Sequence, residues 1–381
     1  MKSSLVSNLW VRGSKWTRAR KRVTVHALIT ATGLLMLWAS TGLQAQQPNY
    51  IVPFLPSPVR SVSTVPANGD VNPYGVAFVP LNFPAGTVNP GDILVSNFNN
   101  NQNLQGTGTT IMRVPPNAPP SVFFPGVAPL GLSTALNILQ AGYVLVGNFP
   151  SVDGTCGTAS PGSILVINSS GTQVGSITNP SYINGPWDSA LYDQGSTALL
   201  FVANGLSGTV ARLDLQVGNG GVTVQNFTQI ASGYGFQCDP VTFVDAPTGL
   251  VYNPREDVLY VASTVDNAVF AISGAGHATR DRGMGKIIYQ DDVHLHGPLA
   301  MAMAPNGHLV VSNNDVINSD PNQPSEIVEF TVQGDFVKQI SVDPNQGGSF
   351  GLATATSGKV ATFAAVDDNT AMLLIWTLEL P

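Results

Sequence analysis

The residues best suited to chemistry lie in the run Asp291-Asp292-Val293-His294-Leu295-His296. Side chains alternate along an extended chain, so His294 and His296 fall on one face of it. Two imidazoles beside carboxylates form a donor set for zinc or copper. A second set consists of Asn72, Asn184, Asp245 and again His296, each one or two residues ahead of a proline, namely Pro73, Pro186, Pro247 and Pro298. Polar groups that converge from separate chain segments could hold a ligand, and oxygen donors so arranged suit a hard cation such as calcium. Asn184, Asp245, His294 and His296 are thus the candidate metal ligands, with calcium or zinc as the ion. The plainer reading is that the Asn and Asp side chains cap turns and the histidines belong to a polar loop. The sequence has no Gly-rich phosphate loop after a strand, no G-x-S-x-G elbow and no C-x-x-C pair.

The prolines belong to a repeat. Asn72-Pro73-Tyr74-Gly75-Val76-Ala77 is followed by Ala128-Pro129-Leu130-Gly131-Leu132-Ser133 and Gly185-Pro186-Trp187-Asp188-Ser189-Ala190. Next come Ala246-Pro247-Thr248-Gly249-Leu250-Val251 and Gly297-Pro298-Leu299-Ala300-Met301-Ala302. Gly348-Ser349-Phe350-Gly351-Leu352-Ala353 completes the series without the proline. The spacing is roughly 50 to 60 residues, the length of one four-stranded propeller blade with its loops.

Each opening motif is followed by a more apolar run, such as Tyr143-Val144-Leu145-Val146-Gly147-Asn148 or Leu199-Leu200-Phe201-Val202-Ala203-Asn204. Continuous apolar runs of this length are strands covered on both faces. The asparagines that end them, Asn97, Asn148, Asn204 and Asn313, recur at one position and are expected to bond loop backbone. A third strand follows in every copy and a fourth in five. The sixth copy lacks one, while Val59 to Val65 precedes the first motif as a spare strand. The expected fold is all-β: a six-bladed propeller of four-stranded antiparallel blades, its last blade closed by this N-terminal strand. Closure removes edges that an open ring would leave unpaired.

The pattern P-x-G-hydrophobic-Ala followed by hydrophobic-Val-(Ser/Ala)-Asn resembles NHL-repeat and related six-bladed propellers over roughly residues 59 to 378. Six-bladed lactonases of the gluconolactonase and regucalcin type hold a divalent metal with one Glu, one Asp and Asn side chains. That resemblance implies roles for Asn184 and Asp245, while the acidic residue of the first blade has only Asp70 nearby, slightly early. The NHL-type peptide-amidating lyase uses histidines from separate blades. Here His277, His294, His296 and His308 all fall between the fourth and fifth blades, a departure from that pattern.

Charge divides the chain. The first 45 residues hold seven of the sixteen Lys and Arg and no Asp or Glu. The rest carries nine basic and 23 acidic residues, a net of 9 − 23 = −14. An acidic body without a basic stripe excludes nucleic acid and anionic membrane surfaces as partners. Arg18, Arg20, Lys21 and Arg22 precede the apolar stretch Val23 to Trp38, and Leu43-Gln44-Ala45 ends in a small residue. This reads as a Sec-type signal peptide over 1–45, with retention as an anchor as the alternative. The expected organisation is signal 1–45, extension 46–58 and propeller 59–381, periplasmic or extracellular. Cys156 and Cys238 both lie after the signal, and an even pair in an oxidising compartment implies a disulfide. The leading functional expectation is an exported scaffold that binds a protein or small molecule on one propeller face. The alternatives are a metal-dependent lactonase-like hydrolase at the channel mouth and a zinc-dependent lyase.

Overall fold

A computed structural model describes residues 60–380. The expected signal peptide over 1–45, the expected extension over 46–58 and Val59 lie outside the described residues. The fold is a β-propeller of six four-stranded antiparallel blades. Blade 1 comprises Val71–Phe78, Ile93–Asn99, Thr110–Val114 and Ser121–Pro125, and blade 2 comprises Leu132–Leu139, Tyr143–Asn148, Ser163–Asn168 and Gln173–Ile177. Blade 3 is Pro186–Asp193, Thr197–Asn204, Thr209–Gly218 and Gly221–Ser232, and blade 4 is Pro247–Asn253, Val258–Ser263, Ala268–Ser273 and Lys286–Tyr289. Blade 5 is Pro298–Met303, Leu309–Asn313, Glu326–Phe330 and Phe336–Ser341. Blade 6 runs Ser349–Ser357, Val360–Asp367 and Met372–Glu379, and its outer strand is Arg60–Ser63. A short hairpin, Gln237–Asp239 with Phe243–Asp245, is inserted between blades 3 and 4. The described helices are two 3-10 turns, and none is long and apolar enough to cross a membrane.

The apolar second strands explain why the ring forms. In Thr197–Asn204, Leu200 and Val202 pack in the cluster shared with blade 2, while Phe201 and Ala203 pack in the cluster shared with blade 4. One strand thus carries two apolar faces, each burying side chains worth about 1.5–3 kcal/mol apiece. The other buried clusters likewise join blades 1 and 2, 4 and 5, 5 and 6, and 6 and 1. The opening motifs make the first strands irregular. Their pairing with the second strand shifts register within the motif, for example between Pro298 and Met301, and in blade 2 between Leu132 and Leu136 at its end. Proline offers no N–H to the ladder, which accounts for the shift where it is present. The motif glycine serves the axis: a Cβ at Gly249 would collide with the Leu299 carbonyl of blade 5, and one at Gly351 with the Tyr74 carbonyl of blade 1. Neighbouring first strands approach that closely only without a side chain.

The closing strand is the expected one. Arg60–Ser63 pairs antiparallel with Met372–Glu379, in the register Arg60 to Ile375 and Ser63 to Met372. Val62 is buried in the blade 6–blade 1 cluster, Thr64 donates to the Ala371 carbonyl, and the Thr64 carbonyl accepts from Asn97. Deleting 59–65 removes these bonds and exposes the edge of Met372–Glu379, so we expect a loss of about 2–4 kcal/mol. Urea denaturation of the truncated protein checks this, and parental stability would contradict the ring closure.

Candidate functional site

The first strands of six blades surround an axial channel, and one end of it is filled by aromatic rings. Tyr74, Trp187 and Phe350 come from opening motifs, Phe98 and Phe149 directly follow the recurring second-strand asparagines, and Phe243 comes from the inserted hairpin. All are buried. The Tyr74 ring stacks on Phe98 at 4.8 Å and on Phe350 at 4.7 Å, and meets Trp187 edge-on at 5.3 Å. Phe243 meets Phe149 at 5.2 Å and Phe98 at 5.3 Å, both edge-on. These are the offset and T-shaped geometries aromatic quadrupoles favour. Phe243 reaches its place at φ 70, a left-handed conformation that bulky residues adopt at a cost of about 1–3 kcal/mol.

The hairpin that delivers Phe243 is tied down. Cys238 is disulfide-bonded to Cys156 on the loop after the second strand of blade 2, with 5.5 Å between the Cα atoms. Gln105 donates to the Val241 carbonyl. Asp239 accepts from the backbone N–H groups of Val241 and Thr242. Asp245 is fully buried and accepts from Thr242 and Gln237, and burial raises its pKa.

The residues singled out at this end are placed as follows. Asn72 is buried at φ 58, with its side chain at the Tyr74 hydroxyl; Asp245 also acts on that hydroxyl. Burial raises the Tyr74 pKa well above its ordinary value, with Asp368 adding to the effect. Asn184 is half-buried, and its backbone N–H donates to the Asn204 side chain. His294 is paired with Asp291 at 2.5 Å and stacks on Phe336, ring centroids 3.8 Å apart. His296 is 2% exposed; its Nδ1 bonds the Asn318 carbonyl and its Nε2 stands 3.9 Å from Glu326 Oε1. Burial and Asp315 push Glu326 up to about 7. The structure places Asn72 at Tyr74 and Asp245 in the inserted hairpin, and ties His294 and His296 to blade 5 contacts. Among the described residues no group of three His, Cys, Asp or Glu side chains is arranged to hold a metal ion. Asp70 is engaged by Thr109 and Thr110 through three hydrogen bonds.

The second-strand asparagines bond loop backbone. Asn97 donates to the Thr64 carbonyl, Asn204 to the Tyr182 carbonyl and Asn313 to the His294 carbonyl, while Asn148 accepts from the Gly131 N–H.

The opposite end of the channel is open. A funnel of about 390 Å³ is lined by residues of all six first strands, among them Leu136, Leu250, Met301, Leu352, Asn137 and Ser189. Asp188 lies in this wall and is 7% exposed. Its two oxygens accept from the backbone N–H groups of Ser189 at 2.7 Å and Leu250 at 3.1 Å. Burial nevertheless pushes its carboxyl up to about 7, against the lowering effect of those two donors. The sequence reading passed over Asp188, although a signal was present. At the third motif position the other blades carry Gly75, Gly131, Gly249, Ala300 and Gly351, and only blade 3 carries a charge.

Fold and site together define a six-bladed β-propeller with an axial channel closed at one end. No family model and no curated protein matches the sequence. Among solved structures the chain is similar to a glucose dehydrogenase, with a TM-score of 0.50 and 11% identity over 85% of this chain and 99% of that one. It is also similar to virginiamycin B lyase from Staphylococcus aureus, with a TM-score of 0.45 and 13% identity over 84% of this chain and 99% of that one. A third, described as a gluconolactonase, gives a TM-score of 0.47 and 13% identity over 85% of this chain and 94% of that one. The likeness is one of fold.

Two outcomes follow from the site. The disulfide closes a loop with a sequence separation of 82, so Cys156→Ser/Cys238→Ser should cost about 2–5 kcal/mol. Alkylation of the native protein without reductant should label neither cysteine. Asp188 has a folded pKa of about 7 against an ordinary unfolded value near ~3.9. Between those values the unfolded chain has released the proton that the folded protein keeps, so rising pH destabilises the fold through this group. Asp188→Asn should therefore gain about 1–3 kcal/mol relative to the parent between pH 5 and pH 8. Urea denaturation at both pH values measures it; an unchanged difference would contradict the assignment.

Proposed function

We propose that this chain is an exported binding scaffold of the NHL type, periplasmic or extracellular, that takes a small molecule into the open end of its axial channel. The observation that carries this reading is the funnel of about 390 Å³ walled by all six first strands. Small-molecule sites are concave and fall in this size range, and placed polar groups, here Asp188, Asn137 and Ser189 among others, fix the ligand's orientation. The walls here are rigid strands, so the site needs little ordering on binding. At the other end Asp245, the acid among the candidate ligand residues, is engaged by the inserted hairpin. Asp245 accepts from Thr242 and Gln237 and holds the hairpin, His296 Nδ1 bonds the Asn318 carbonyl, Asn72 lies beside the Tyr74 hydroxyl, and Asn184 gives its backbone N–H to the Asn204 side chain. This favours a scaffold over a metal-dependent lactonase-like hydrolase or a zinc-dependent lyase working at that mouth.

The test is a ligand-observed NMR screen of small organic fragments against the parent and Ser189→Trp, which places an indole in the funnel. Binders to the parent should be lost from Ser189→Trp while both proteins melt at similar temperatures. Binders unaffected by the indole would move the site elsewhere. In the same preparation, chelation should leave the melting temperature within about one degree; a drop of several degrees would return the metal-dependent readings.

A further inference from the structure

The lining of the funnel carries carboxylates and no positive charge. Asp188 and Asp193 are its two charged side chains, and no Lys, Arg or His contributes to the wall. Their situations differ. Asp193 accepts from the backbone N–H groups of Gln140 and Gly195, in the turns that join first and second strands at the rim. Asp188 lies at the third position of its strand, and Leu250, on the adjacent first strand of blade 4, donates to it. The remaining polar groups, Thr134, Asn137, Gln140, Ser189 and Thr354, are neutral. Asn137 donates to Ser189, and Thr354 to the Met303 carbonyl, so these two are already engaged. Leu136, Leu250, Met301, Met303 and Leu352 supply apolar wall.

We infer that the ligand of this funnel is a small organic cation, an ammonium group on a compact apolar body, with the ammonium against Asp188 and the body along the Leu and Met wall. The inference rests on the funnel being the binding site and adds the class of ligand. A buried carboxylate lacking a cationic partner is costly, and an ammonium brought beside it offsets that cost in a setting of low dielectric. An anion would meet the same carboxylate with no countercharge, and would be rejected. The two backbone N–H groups fix the carboxylate in place and leave its other lone pairs for the incoming donor, since each carboxylate oxygen accepts more than one hydrogen bond. The ionised form of Asp188 is the one that pairs with the ammonium, so affinity should rise with pH as long as the amine stays protonated.

The experiment uses three probes of one shape: benzylamine, benzyl alcohol and benzoate, titrated by calorimetry or NMR into the mature protein. Benzylamine should bind at least tenfold more tightly than benzyl alcohol at pH 8, and benzoate should not bind. Benzylamine affinity should fall between pH 8 and pH 6, while that of benzyl alcohol stays constant. Asp188→Asn should bring benzylamine down to the level of benzyl alcohol, and Asp193→Asn should change it less than threefold. Equal binding of amine and alcohol, both lost in Ser189→Trp, would overturn the cation assignment and leave the funnel reading standing. Binding of none of the three would overturn the cation assignment, and fragments insensitive to Ser189→Trp would overturn the funnel itself. Benzylamine binding that survives Asp188→Asn would assign the ammonium to another group and sink the inference.

Discussion

Every blade has two apolar faces, and this one constraint organises the molecule. A strand such as Thr197–Asn204 sends Leu200 and Val202 one way and Phe201 and Ala203 the other. Neither face can be left to water, so each blade requires a neighbour on both sides, and only a closed ring gives the terminal blades theirs. The borrowed strand Arg60–Ser63 follows from the same requirement, since the last blade has three strands of its own and Val62 completes its buried contact with blade 1.

Closing the ring creates a second problem at its centre. Six first strands cannot meet on the axis, and the channel must be filled or left open. At one end it is filled with aromatic rings, including Phe243, which an inserted hairpin delivers. That hairpin is a separate two-stranded element, too small to be stable alone, and its disulfide and hydrogen bonds compensate. At the other end the channel stays open because the facing positions are small or aliphatic, as at Ala300, Ala302 and Ala353. The polar residues ahead of the prolines serve the closed end, and an acid within the third motif serves the open one.

The buried acids differ in their partners. Asp70 and Asp245 bond side chains of the loops they organise, and these bonds fix loop geometry. Asp188 bonds only backbone donors, on its own strand and on the facing one, and remains at the surface of a cavity. It stands where four other blades carry the motif glycine, and it bonds the adjacent first strand through Leu250. Pro186 still meets blade 2 there through Ser133, which donates to its carbonyl.

The repeat made blade number, strand order and closure legible, because the opening motif and the apolar run are local patterns with a fixed period. Asn97, Asn148, Asn204 and Asn313 were legible as loop-bonding amides for the same reason: one position, one repeated use. Cys156 and Cys238 were legible as a pair because they are the only two. Which end of the channel is open was not legible. Which end the rings of Tyr74, Phe98, Phe149, Trp187, Phe243 and Phe350 would fill depends on side chains from five separate segments meeting on an axis. Sequence by itself therefore determined the ring, whose contacts repeat between adjacent blades. Tertiary structure alone decided where the ring is open, because that depends on residues far apart in the chain that share no local pattern.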